Sequence, residues 1–90
     1  MGHASALTLE ERLAAARQLI PPGSRWTHYK KPDDTPYEVV ELGLLEGTEE
    51  TVVAYRKPGN PIVWVRPAAQ FLADVRKGVD APIPRFKRVA

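Results

Sequence analysis

The chain contains no cysteine. That excludes disulfides, thiolate zinc sites and a cysteine nucleophile. No apolar run approaches the ~18 residues that a membrane helix needs. The first residues carry neither the basic nor the apolar region of a secretory signal, so a cytoplasmic setting without membrane contact is the expectation. Common catalytic signatures are missing as well. There is no G-x-x-x-x-G-K-[ST], no G-x-G-x-x-G, no H-E-x-x-H and no G-x-S-x-G. Ser5 and Ser24 lie in a tail and a Pro-Gly turn, poor places for an oriented nucleophile. Of the two histidines, His3 sits in the Met1-Gly2-His3 start and is given no chemical role. His28 then stands without a second His or Cys, so neither a metal site nor a cofactor is expected.

What is present is a 90-residue chain with nine Pro, six Gly, 43% hydrophobic and 27% charged residues. This is the composition of one small domain, which buries only about 60–65% of its unfolded-chain surface. The net charge of +2 is unevenly spread. Residues 1–37 carry +1, residues 38–50 hold five Glu and no base, and residues 51–90 carry +6. The basic C-terminal part can attract phosphates, although its charges are scattered and also fit an ordinary solvated surface.

Residues 1–7 read as a disordered lead-in and residues 8–90 as a single domain. Thr8-Leu9-Glu10-Glu11 fits a helix capping box. Leu9, Leu13, Ala16 and Ile20 form one apolar stripe over a helix at 8–20, which Pro21-Pro22-Gly23 ends. The periodicity then changes to two, and a β-barrel over 23–90 is expected. Residues 25–30 read as a strand, and residues 31–36 as a turn-rich loop. Tyr37 to Leu45 is a longer strand. Strict alternation puts Val40, Leu42 and Leu44 on one face, with Tyr37 and Val39 on the other, and Gly43 marks a bulge. Residues 51–56 and 62–66 are further strands, the latter apolar enough for burial on both faces. Pro67 opens a short helix with Phe71, Leu72 and Val75 on one face, Lys77 in its last turn and Gly78 as its cap. Residues 85–89 alternate, and fit an edge strand pairing with the first. A mainly β fold follows: a small SH3-like barrel of about five short strands, with an N-terminal α-helix and a short helix after the fourth strand.

Gly23-x-x-Trp26-x-His28-Tyr29-Lys30, Tyr37-x-Val39, Val52-Val53-x-Tyr55, Trp64-Val65-Arg66-Pro67 with Phe71, and Pro84-Arg85-Phe86 together resemble the DUF1653 family. The family is one of small bacterial domains of unknown function. The resemblance covers residues 23–88, leaves the first helix outside, and implies an SH3-like barrel without implying an activity. Two loops depart from the family pattern. Residues 46–50 read Glu-Gly-Thr-Glu-Glu where a His-Ser-Glu-Thr-like segment is usual. Residues 57–61 read Lys-Pro-Gly-Asn-Pro in place of a segment with a Tyr-Gly pair. If these loops rim a site, its specificity differs here.

The candidate ligand-binding residues are Trp26, His28, Lys30, Tyr37, Tyr55, Arg56, Trp64 and Arg66. Alternation puts Trp26, His28 and Lys30 on one strand face, where an imidazole beside an ammonium and an indole recognises an anion or a planar ring. The plainer reading is a half-buried His bonded to a neighbouring strand. Trp64 beside Arg66 makes a stacking platform, or else a core Trp with Arg66 paired to Glu38 or Glu41. The tyrosines suit either an aromatic groove or a small β core. The favoured expectation is a binding module, without a catalytic residue, for a small molecule, nucleotide or peptide. One alternative is a weak nucleic-acid contact through Arg56, Lys57, Arg85, Lys87 and Arg88. Another is a small enzyme using His28 with a Glu as acid and base. Helix 8–20 packs on its own domain or docks a partner, leaving a monomer or a weak homodimer.

Overall fold

The structure is a computed structural model that describes residues 6–75 and 82–90. Its order is α1 (Ala6–Leu19), β1 (Arg25–His28), β2 (Tyr37–Leu44), β3 (Thr51–Arg56), β4 (Trp64–Pro67), α2 (Ala68–Leu72), β5 (Asp74–Val75), β6 (Ile83–Pro84) and β7 (Phe86–Arg88). Five strands form one antiparallel sheet in the order β4-β3-β2-β1-β7. β5 and β6 pair as a separate two-stranded sheet. The pairing of the last strand with the first follows the sequence expectation, with His28 opposite Phe86 and Trp26 opposite Arg88. Barrel closure does not: among the described residues the sheet stays open, with β4 and β7 at its edges. No described helix is long and apolar enough to cross a membrane.

α1 starts before Thr8, so Thr8 lies inside the first turn instead of capping it. The lead-in expected at 1–7 falls outside the described residues for positions 1–5, and Ala6 and Leu7 already belong to the helix. The apolar stripe does what its spacing implies: Ile20 is fully buried, and Leu13 and Ala16 pack against the core. Arg17 Nε donates to Glu41 Oε1 at 3.1 Å, and Arg12 donates to the Glu49 carbonyl at 2.9 Å. The helix is thus held on its own sheet. Pro22-Gly23 then makes a type II turn, since Ser24 N–H reaches the Pro21 carbonyl at 3.0 Å with Gly23 at φ 87°.

The bulge in β2 lies between Val39 and Glu41, not at Gly43. One extra residue there reverses the alternation, so Val39 and Leu42 both point into the core and Val40 is exposed. The expectation that Val39 and Leu42 sit on opposite faces fails for this reason. Glu38 and Glu41, three apart, come to share the outer side by the same shift. The core is one cluster: Ile20, Trp26, Val39, Leu42, Val53, Tyr55, Ala68, Phe71 and Phe86. Phe71 and Phe86 stack with ring centroids 4.2 Å apart, and Trp26 and Tyr55 meet Phe71 edge-on at 5.2 and 5.4 Å.

Two further expectations change. Residues 62–65 are exposed, because β4 is an edge with no described element laid over these residues, so this strand is not buried on both faces. The second helix ends at Leu72 and the chain turns into β5 at Asp74, which places Val75 in a strand. The helix end expected at Lys77 and Gly78 lies outside the described residues.

Candidate functional site

β1 ends at His28, and the chain folds back through two turns. Lys31 N–H bonds the His28 carbonyl at 3.0 Å and Asp34 N–H bonds the Lys31 carbonyl at 3.2 Å. Asp34 Oδ1 accepts from Thr35 N–H at 2.9 Å, the local bond that favours Asp in turns. Across from this loop, Pro58-Gly59 makes a second type II turn. Asn60 N–H reaches the Lys57 carbonyl at 3.0 Å, and Gly59 has φ 81°, which glycine adopts freely. Asn60 Oδ1 then accepts from Ile62 N–H. The two turns hold Lys57 against the 31–36 loop.

Between them lies a cleft of about 300 Å³ lined by His28, Lys30, Lys31, Asp34, Thr35, Tyr37 and Lys57. A shallower depression of about 440 Å³ continues from Asp34, Thr35 and Lys57 along residues 58–61. Lys57 Nζ sits 2.7 Å from Asp34 Oδ2 and 4.9 Å from the centre of the Tyr37 ring. Its amine is therefore both paired and laid over an aromatic face. That pair holds the Asp34 carboxyl below its ordinary range, mainly through the hydrogen bond from Lys57 and then through the backbone bond from Thr35. Lys30 and Lys31 are exposed and enter no ion pair among the described residues.

His28 packs edge-on against Phe86 at 5.0 Å and beside Tyr29 at 4.7 Å. Its Nδ1 accepts from Lys30 N–H at 3.2 Å, which assigns the proton of the neutral ring to Nε2. Burial lowers its pKa first, and the nearby Arg66, Lys30 and Arg85 lower it further. The imidazole is thus neutral at pH 7 and presents a donor. With His28 neutral, three lysines against one aspartate leave the cleft lining at +2. Such a lining attracts a small dianion, and the His28 and Tyr37 rings offer apolar edges to a planar group.

Of the eight candidates from sequence, His28, Lys30 and Tyr37 line this cleft. Trp26 and Tyr55 belong to the core, at 7% and 5% exposure. Arg66 Nε donates to the Tyr55 hydroxyl at 3.2 Å, and does not pair with Glu38 or Glu41. Trp64 is half exposed on β4, opposite Tyr55 in register. Arg56 lies opposite Glu38 on β3. Trp26, His28, Tyr55, Trp64 and Arg66 therefore do not meet in one open pocket. Nor does a Glu reach His28: Glu38 stands opposite Arg25 in register, and Glu41 is held by Arg17. Lys31, Asp34 and Thr35 were absent from the candidates, and Lys57 was considered only as a phosphate contact. The signal that points to them is the pair of turns, Asp33-Asp34 and Pro58-Gly59, flanking lysines. The 57–61 loop rims the cleft; residues 46–50 do not line it. No group of three His, Asp or Glu side chains with metal-binding spacing occurs among the described residues.

These features define a small, mainly β domain with an open antiparallel sheet and a basic cleft between two loops. The chain belongs to DUF1653, described as a protein of unknown function, whose family model matches residues 24–88. No curated protein and no solved structure matches the chain.

Proposed function

We propose that this domain is a binding module whose cleft takes a small dianion carrying a planar ring, the class of a nucleoside monophosphate. The observation that carries the reading is the convergence of Lys30, Lys31 and Lys57 on one cleft with a neutral His28 and the Tyr37 ring. A phosphate monoester carries about −1.5 to −2 at neutral pH, the charge this lining lacks. Asp34 occupies Lys57 in the free protein, so ligand entry exchanges one anion for another on that amine. The SH3-like reading of the fold is kept in a partly open form. Its support is a four-strand meander, a bulged second strand, and a short helix before a fifth sheet strand that returns to the first.

The test is a titration of the labelled protein with a nucleoside monophosphate, the matching nucleoside and inorganic phosphate, followed by amide NMR. Shifts at His28, Lys30, Lys31, Asp34 and Lys57 are expected. Asp34→Asn should tighten binding, and Lys31→Ala or Lys57→Ala should weaken it. An unchanged spectrum at about 10 mM of every probe refutes the reading, since that limit corresponds to affinity weaker than ~3 kcal/mol. A second reading, weak nucleic-acid contact, is supported by exposed Lys87 and Arg88 on the β7 edge. It requires affinity that falls steeply with salt, and no retention on DNA or RNA at about 50 mM salt removes it.

A further inference from the structure

Among the exposed large hydrophobic side chains, four are consecutive: Ile62 at 53%, Val63 at 44%, Trp64 at 53% and Val65 at 63%. They lie in β4 and just before it, at the open edge of the five-stranded sheet. An edge strand offers unpaired N–H and C=O groups to another chain, and natural edges are usually guarded by charge or Pro. Here the guards stand only at the ends. Residues 61–67 read Pro-Ile-Val-Trp-Val-Arg-Pro. About Trp64 the segment is nearly palindromic, with Val63 mirroring Val65 and Pro61 mirroring Pro67. A twofold antiparallel contact about Trp64 therefore sets Val against Val and Pro against Pro, with no charge facing a like charge.

We propose that β4 pairs antiparallel with β4 of a second copy of this chain, centred on Trp64, joining two sheets into one of ten strands. In this register Trp64 lies opposite the partner subunit's Trp64, and Val63 lies opposite the partner subunit's Val65. Ile62 lies opposite the partner subunit's Arg66, so no like charges oppose each other. Alternation allows a centre on a residue, as here, and excludes one between residues. Trp64 stands opposite Tyr55, which is buried in the core, whereas Val65 stands opposite Ala54 on the other side. Directly opposed residues share a face, so a one-residue slip would set inner side chains against outer ones. Arg66 already turns toward its own core, bonded to the Tyr55 hydroxyl and 6.0 Å from the Phe86 ring centre. The exposed parts of the four apolar side chains amount to roughly 400 Å² per copy, about half of one partner's share in a standard interface. The dimer is therefore weak and concentration-dependent.

Sedimentation of the full chain from about 10 μM to about 1 mM tests this, the range in which a weak interface declares itself. The mean mass should climb from 10.0 kDa toward twice that value. Amide shifts on dilution should centre on residues 62–66. Trp64→Lys puts two like charges directly opposite each other and should weaken association at least ~10-fold with the remaining spectrum intact. Val65→Lys, at a more exposed position, should do the same and guards against a folding defect in the first variant. Because the chain has no cysteine, Trp64→Cys places a lone thiol on the twofold axis. It should oxidise to a cross-linked dimer faster than Leu45→Cys, a site of 49% exposure away from β4. A monomer throughout the range overturns the proposal. So do dilution shifts that map elsewhere, or equal cross-linking of the two cysteine variants.

Discussion

Ser24→Ala is the sharpest test of how this small core is closed. Ser24 is 5% exposed and joins three elements. Its hydroxyl accepts the Trp26 indole N–H at 2.8 Å and donates to the Pro21 carbonyl at 2.5 Å, while its own carbonyl accepts Val39 N–H at 2.9 Å. Alanine keeps the backbone bonds but leaves the indole N–H buried without a partner. That costs ~1–3 kcal/mol, and the lost bond to Pro21 adds about 0.5 kcal/mol because that carbonyl keeps the Ser24 N–H. The total is about 1.5–3.5 kcal/mol, against a whole-domain stability on the order of 5–13 kcal/mol for this length. The melting temperature should fall by roughly 6–28 °C. Trp26→Phe removes the donor itself, so in that background Ser24→Ala should cost under about 1 kcal/mol. The double-mutant cycle should then show a coupling of ~1–2 kcal/mol. Urea unfolding of the four proteins measures it. Equal costs of Ser24→Ala in both backgrounds would refute the assigned role of the hydroxyl.

Phe71→Ala empties the centre of the aromatic cluster, where the ring is fully buried and stacked on Phe86. A loss of ~3–5 kcal/mol is expected, and a urea midpoint near that of the parent would show that the cluster does not hold the fold. Glu49 has φ 61°, a region where a side chain is strained, and its contact with Arg12 uses only the carbonyl. Glu49→Gly should therefore raise stability by about 0.5 kcal/mol, the strain relieved minus the entropy of glycine; a lowered melting temperature contradicts this. The folded-state pKa of His28 lies below its ordinary value of 6.5, chiefly through burial. The unfolded chain then binds the proton more readily, so the His28 contribution is fully present above pH ~6.5 and is lost as pH falls toward the folded value. Melts at pH 7.5 and 5.5 should differ less for His28→Gln than for the parent, and an identical difference would show that His28 titrates alike in both states.

Local chemistry made much of the fold legible. The stripe from Leu13 to Ile20, the two Pro-Gly turns and the alternation of β1, β3 and β7 each rest on neighbours within a few residues. The bulge after Val39 was not legible, because it costs little locally and is decided by pairing with β3. One inserted residue then exchanged the faces of everything that followed. The fate of the aromatics was equally nonlocal. Trp26 and Trp64 sit in similar strand contexts, but Phe71 lies over the first and the second stays half exposed. Composition cannot distinguish a core Trp from an edge Trp until the strand order is known. The cleft shows the same limit from the functional side. The aromatic residues favoured as a ligand groove are largely committed to one core, which a chain of this size needs whole. Charge chemistry is left to two loops joined by the Asp34–Lys57 pair, 23 positions apart. Lys57 opens the 57–61 loop, which rims the cleft outside the core. It follows that charge and shape at this cleft can be changed without altering the core. Grafting a Tyr-Gly loop in place of residues 57–61 should thus change ligand preference while leaving the melting temperature within a few degrees, because Asp34 of the Lys57–Asp34 pair is exposed and pairs open to solvent contribute little to stability.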